Sequence, residues 1–258
     1  MNYTFNINRF GKLIRQQYQL SGKTMGLAIL SIFVVYTLIL MTFTFNEPRI
    51  RSDEWIPFFI TFTLAIAFPF AAYAFPAFRS KEKTFDYLLT PCSITEKFSF
   101  NVLIRIFIPW LVLPIVFYIS SRMASELALW RYPDYNIENF NLSVIFDQLP
   151  DKHLGLIITS SVLMILITQS VLFSGATIFK KHPLIKTLVT LGATAAVIFF
   201  YFYIIIEWFG IYDNGRVPWL ANFNNEVSAG YFLVALELLV LTTTWAYAFF
   251  KVKEKEIA

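Results

Sequence analysis

An all-α integral membrane protein follows from three features of the 258-residue chain. The expected architecture is six transmembrane helices, cytoplasmic N- and C-termini and an N-terminal amphipathic interfacial helix. First, 57% of the residues are hydrophobic and only 15% are charged, against about 25% charged in an ordinary soluble domain. Second, the apolar residues gather into six long runs, each meeting the roughly 20 residues needed to cross hydrocarbon. Third, Lys and Arg are shared unevenly between the connecting segments, which sets orientation. The composition excludes a soluble single-domain enzyme and a disordered chain. The single cysteine, Cys92, excludes an internal disulfide and a Cys-based metal cluster.

The first element precedes the first run. At about 100° per residue, Phe10, Leu13, Ile14, Gln17, Tyr18 and Leu20 share one arc, and Arg9, Lys12, Arg15, Gln16 and Gln19 share the other. This pattern predicts an amphipathic helix within residues 1–24, lying on the inner leaflet with its basic face toward water and lipid phosphates. The alternative is an amphipathic helix packed on a partner. The first run begins after 24 mostly polar residues and no small-residue cleavage site follows a short apolar core, so a cleavable signal is not expected.

The six runs are Met25–Phe45, Trp55–Phe78, Phe98–Ser121, Leu154–Phe179, Thr187–Trp208 and Ser228–Phe250. Runs this long satisfy their backbone only as helices, and the alternating ten-residue segments of a barrel are not visible. Pro69 and Pro76 in the second span, and Pro109 and Pro114 in the third, predict kinks. Small residues cluster at Ser170, Ser174, Gly175 and Ala176, and again at Gly192, Ala193, Ala195 and Ala196. They predict close helix contact within the bundle or across a dimer.

Fourteen Lys and Arg fall on the side that holds both termini, the loop after span two and the loop after span four, against six on the other side. The first side is therefore cytoplasmic. Counting acids as well, the inner face carries +9 and the outer face −5. Arg105 and Glu237 lie within spans.

The loop between spans two and three, residues 79–97, is the most informative. Thr84 is placed to cap a short helix with Asp86 in its first turn. Phe85, Leu88 and Leu89 then fall on one face, and Pro91 ends the helix. Ser93-Ile-Thr-Glu96 has the form of a capping box opening the third span. The expectation is a rigid helix-turn unit projecting into the cytoplasm; an ordinary ordered loop is the alternative. The outer segment 122–153 is rich in Tyr, Asn, Asp and Pro and long enough to order as a small lid. A re-entrant pair of short helices is open for 209–227.

Chemistry is sparse. The two His residues, His153 and His182, belong to no metal spacing. Ser21-Gly22-Lys23-Thr24 ends like a phosphate loop, but Gln17 stands where the first Gly is needed. No other nucleotide pattern occurs, so ATP, if used, is held by another chain, and an enzyme is the weaker class. Ionisable groups within spans are costly. Arg105 lies about five residues from the inner boundary and can snorkel. Glu237, about 20 Å deep by helical rise, must pair, face a polar cavity or be neutral. Gln169 is the other polar residue singled out within a span.

Tyr87-Leu-Leu-Thr-Pro-Cys-Ser-Ile-Thr-Glu-Lys97 resembles the Leu-x-Pro-x-Ser-x-x-Glu-Lys stretch of ABC-2 type ABC transporter permease subunits. The likeness in layout covers the whole chain as one permease domain, residues 1–258. The resemblance implies a permease without a nucleotide site or cofactor of its own, in the inner (cytoplasmic) membrane. It implies coupling to a separate ATP-binding subunit through Lys83, Thr84, Phe85, Asp86, Leu88 and Leu89, with Ser93 and Glu96 capping the third helix. It also implies pairing with a second permease copy and re-entrant helices after span five. Glu237, Gln169 and Arg105 are the candidates for a translocation pathway. The partners expected are therefore the ATP-binding subunit, the second permease and the lipid bilayer, with no nucleic acid. Two other classes stay open: a membrane anchor that transports nothing, and an ion-coupled carrier using Glu237. The absence of a visible repeat between the halves weighs against the carrier.

Overall fold

The computed structural model describes residues 5–79, 84, 87, 89–143, 154–209 and 226–257. Seven helices are assigned among them: α1 Ile7–Asn46, α2 Trp55–Ala72, α3 Ile94–Val102, α4 Ile108–Arg131, α5 Leu154–Ile178, α6 Pro183–Phe209 and α7 Glu226–Ile257. Five helical stretches are long and apolar enough to cross a membrane, with α3 and α4 forming one of them, and α6 adds a further apolar helix. The chain is a helical, multi-pass membrane protein. It divides into two compact units, Met1–Phe70 with Thr90–Pro150, and Ala71–Leu89 with Asp151–Ala258.

In unit 1, α1 runs unbroken for 40 residues, about 60 Å at 1.5 Å per residue. Residues 8–20 are therefore the first turns of this helix and not a separate element, which corrects the expectation of a distinct interfacial helix. Nothing between Leu20 and Met25 breaks the backbone. Gly22 and Gly26 each cost only about 1 kcal/mol in a helix, and the Ser21 hydroxyl donates to the Gln17 carbonyl (2.7 Å).

Helices α1 and α4 run parallel: Thr44 Oγ1 donates to the Ala124 carbonyl (3.5 Å) and the Tyr36 ring meets Phe117, a near-constant offset along both chains. Residues of α2 meet α1 in the opposite sense, Phe62 against Tyr36 and Trp55 against Phe43. Tyr36, Leu40, Trp55 and Phe117 form the core of this unit, each at most 2% exposed.

The third span is longer than expected. Its helix continues beyond Ser121 to Arg131, burying Ala124, Ser125 and Ala128. Between α3 and α4 lies a π-helical turn, Leu103–Phe107, in which the Ile108 N–H reaches the Leu103 carbonyl. Pro109 explains it. It has no N–H to offer the carbonyl four residues back, and the wider turn accommodates that gap.

Past α4, Asn136–Ile137 pairs in parallel with Arg49–Ile50. The Asn136 N–H donates to the Pro48 carbonyl (3.0 Å) and the Glu138 N–H to the Ile50 carbonyl (2.8 Å). The fully buried Trp55 donates its Nε1–H to the Glu138 carbonyl (2.8 Å). The segment after α4 is thus ordered over 132–143. Residues 144–153, and the region 210–225 where re-entrant helices were expected, lie outside the described residues.

In unit 2, α5 packs on α7 and on α6. Trp245 Nε1–H donates to Ser170 Oγ (2.6 Å) and Ser160 Oγ–H donates to Glu237 Oε1 (2.7 Å), again a near-constant offset, so α5 and α7 are parallel. Helix α6 approaches α5 at Gly175, where an added Cβ would stand 2.9 Å from both Cβ and Cγ2 of Thr187. The small residue there is what lets the two backbones meet. Gly192 has open space around it.

Candidate functional site

The Ser93–Lys97 end of the 79–97 loop is tied to the beginning of α1, and the geometry starts from a cap. Ser93 opens α3 with extended backbone. Its hydroxyl accepts from the Glu96 N–H (3.3 Å), and Glu96 Oε2 accepts from the Ser93 N–H (2.9 Å). Both halves of the expected capping box are formed. The other Glu96 oxygen does more than a cap requires. Oε1 accepts from the Asn6 N–H (2.7 Å), and from Arg9 Nε (3.2 Å) and Nη2 (3.0 Å). Asn6 is itself the N-cap of α1, its side chain accepting from the Asn8 and Arg9 N–H groups.

Glu96 is fully buried while the Arg9 side chain keeps 33% exposure. Burial alone raises the Glu96 carboxyl. The Ser93 and Asn6 N–H groups, then the Arg9 hydrogen bond and charge, outweigh it and hold the group below its ordinary value of 4.5. Glu96 stands in the first turn of α3, two residues before the apolar run that starts at Phe98, and so outside that run. Nearby, burial and the Glu96 charge push the Cys92 thiol up.

Arg9 was expected on the water-facing arc of the first helix and is found turned onto Glu96. Its signal was weak: Arg9 and Glu96 stand 87 residues apart, and no local spacing links them. A capping box accounts for one carboxylate oxygen and leaves the other open, which is the only hint in the sequence.

The rest of the loop belongs to unit 2. Phe75 takes a left-handed backbone, φ 52°, after α2. Phe75 stacks on Phe78 (5.4 Å), and Tyr87 packs edge-on against Phe78 (5.5 Å). The Arg79 guanidinium sits over Tyr73 (4.6 Å). Thr84 is already helical and donates its hydroxyl to the Ala77 carbonyl (2.7 Å), tethering the loop back on itself. Tyr87 and Leu89 are also helical. Leu89 is 78% exposed, an apolar side chain offered outward from an anchored segment. Lys83, Phe85, Asp86 and Leu88 lie outside the described residues.

In unit 2 the candidates Glu237 and Gln169 stand apart. Glu237 is 8% exposed and bonded to Ser160, and its Oε2 has no partner among the described residues. Gln169 is fully buried, but it stands nine residues along α5 from Ser160, about 13 Å. Arg105, in the π-turn of unit 1, lays its guanidinium over the Phe70 ring (4.4 Å). Within unit 2 the polar contacts instead form a seam between α5 and α7: Ser160 with Glu237, Ser170 with Trp245, and Ser174 with the Thr244 carbonyl (3.3 Å). Replacing Ser160 by Ala takes away the one bond Glu237 has among the described residues. It should lower the unfolding midpoint in detergent by the equivalent of about 1 kcal/mol. An unchanged midpoint would mean the seam is not holding these helices.

Among the described residues no three His, Cys, Asp or Glu side chains group to hold a metal ion. No protein-family model, curated protein or solved structure matches the chain.

Proposed function

We propose that the chain is the membrane-spanning permease subunit of an ATP-driven transporter of the ABC-2 type, working in export with a separate ATP-binding subunit and a second permease copy. The observation that carries the reading is the built loop between α2 and α3. Its unit 2 part is tethered at Thr84, ring-packed at Tyr87 and exposes Leu89. A plain connector has no need of such anchoring, whereas a surface that receives a push from a partner must be stiff. Six spans with both termini in the cytoplasm, in the inner membrane, complete the proposal and rest on the positive-inside asymmetry.

The test is co-purification. Leu89→Asp places a charge on the exposed face of the loop without touching a buried group. It is expected to abolish capture of the ATP-binding subunit and ATP-dependent transport while the variant's own unfolding midpoint stays unchanged. Capture at the parental level overturns the proposal.

The ion-coupled reading has one observation of its own, the Glu237 oxygen left without a partner. Under the permease proposal, Glu237→Gln keeps an acceptor for Ser160 and retains transport. Loss of transport in that variant, with the ATP-binding subunit dispensable, selects the carrier.

A further inference from the structure

One end of unit 2 holds an apolar groove beneath a group of lysines that the proposed function does not use. The groove encloses about 470 Å³ between α5, α6 and α7, within the roughly 300–1,000 Å³ of ordinary ligand pockets. Val171, Ile178 and Leu191 supply its apolar wall, and Thr190, Thr243 and Tyr247 a hydroxyl-bearing one. These residues belong to the apolar runs of their helices, so the groove opens where acyl chains lie.

The lysines follow its lining residues along the chain. Phe179 lines the groove and carries the Lys186 ammonium 5.8 Å from its ring centre, and Lys180 is the next residue. On α7, Tyr247, Lys251 and Lys255 follow at intervals of four and share one face. Lys180 and Lys251 are both near enough to Lys255 to repel its charge. Among the described residues one acid pairs with the group: Glu254 meets Lys251 at 2.6 Å. The Lys255 ammonium lies over Phe78 (4.8 Å), shielded from solvent and without a hydrogen-bond partner among the described residues. A buried ammonium with three open donors beside two other cations is unfavourable unless an anion joins it.

We propose that this end of unit 2 binds an anionic phospholipid, its phosphate between Lys180 and Lys255 and one acyl chain in the groove. Free phosphate would answer the lysines but leaves the apolar groove unexplained. A neutral lipid would fill the groove but leaves the lysines unbalanced. The inference needs only that the helices cross a bilayer, and stands or falls apart from the transport reading.

Native mass spectrometry on the delipidated full chain in detergent tests it. The probes are phosphatidylglycerol and phosphatidylcholine with the same acyl chains, and inorganic phosphate. The unmodified chain should take up phosphatidylglycerol about tenfold or more in preference to phosphatidylcholine, and millimolar phosphate should not displace it. Each lysine neutralised should cost roughly fivefold. Lys180→Gln, at an exposed position, and Lys255→Gln should therefore lower phosphatidylglycerol uptake and leave phosphatidylcholine unaffected. Equal uptake of the two lipids by the unmodified chain overturns the proposal without relying on any variant's folding. Displacement by phosphate overturns the lipid as the source of the anion.

Discussion

Glu96→Ala should be among the most damaging single substitutions in unit 1, lowering stability by roughly 3 kcal/mol or more. Removing one partner of a buried ion pair typically costs 3–5 kcal/mol, because the other charge loses its balance. Here the Asn6 and Ser93 N–H groups lose their acceptor as well, each a further cost where water cannot replace it. The partial exposure of Arg9 (33%) lets water recover part of the loss, which sets the estimate toward the low end. Glu96→Gln should be milder, since it keeps a cap acceptor and loses the charge. The measurement is the unfolding midpoint in detergent. Equal midpoints for Glu96→Ala and the parent would show that the network contributes nothing.

The same carboxylate makes a signed statement about pH. Its folded value lies below its ordinary 4.5, so the unfolded chain takes up its proton first as pH falls. The contribution of Glu96 is whole above about pH 4.5 and disappears as pH drops from there through the depressed folded value. The difference in stability between the parent and Glu96→Gln should therefore shrink on acidification through that window. A difference that grew would reverse the assignment.

Gly175→Val carries the largest effect expected in unit 2. The first added carbon already overlaps the Thr187 side chain, whose hydroxyl donates to the Pro183 carbonyl (2.7 Å). Overpacking of this kind costs about 1–3 kcal/mol. The alternative response is separation of α5 from α6. Gly175→Ala is the smaller probe, and pairing it with Thr187→Ala should restore most of the lost stability. The coupling between the two sites is the decisive quantity. Additive losses would mean that Gly175 and Thr187 do not touch.

What the sequence made readable was local. Apolar runs of 20 or more residues announced the membrane helices, because a span must satisfy its own backbone. Ser93 and Glu96 announced their box because both partners lie within one turn. The break between residues 20 and 25 was misjudged, because a switch from amphipathic to uniformly apolar pattern looks like a boundary while the backbone has no reason to stop. The π-turn before Pro109 was foreseen only as a kink. The Arg49–Ile50 and Asn136–Ile137 pairing was invisible, since two-residue strands have no period. Arg9, Tyr87 and Lys255 gained their meaning from partners remote in sequence, and a single sequence offers no way to pair them in advance.

The ion pair between α1 and α3 also sets an order of events during synthesis. Arg9 leaves the ribosome 87 residues before Glu96, which at 5–20 residues per second is a wait of roughly 4 to 17 s. Through that interval α1 is long enough to enter the bilayer while its lock does not yet exist. The strand pair waits as long, since Arg49 and Asn136 are separated by a similar stretch. Unit 1 therefore closes at both ends only after its third membrane helix has emerged, and a nascent chain stopped short of residue 96 is one that chaperones and proteases meet unlatched.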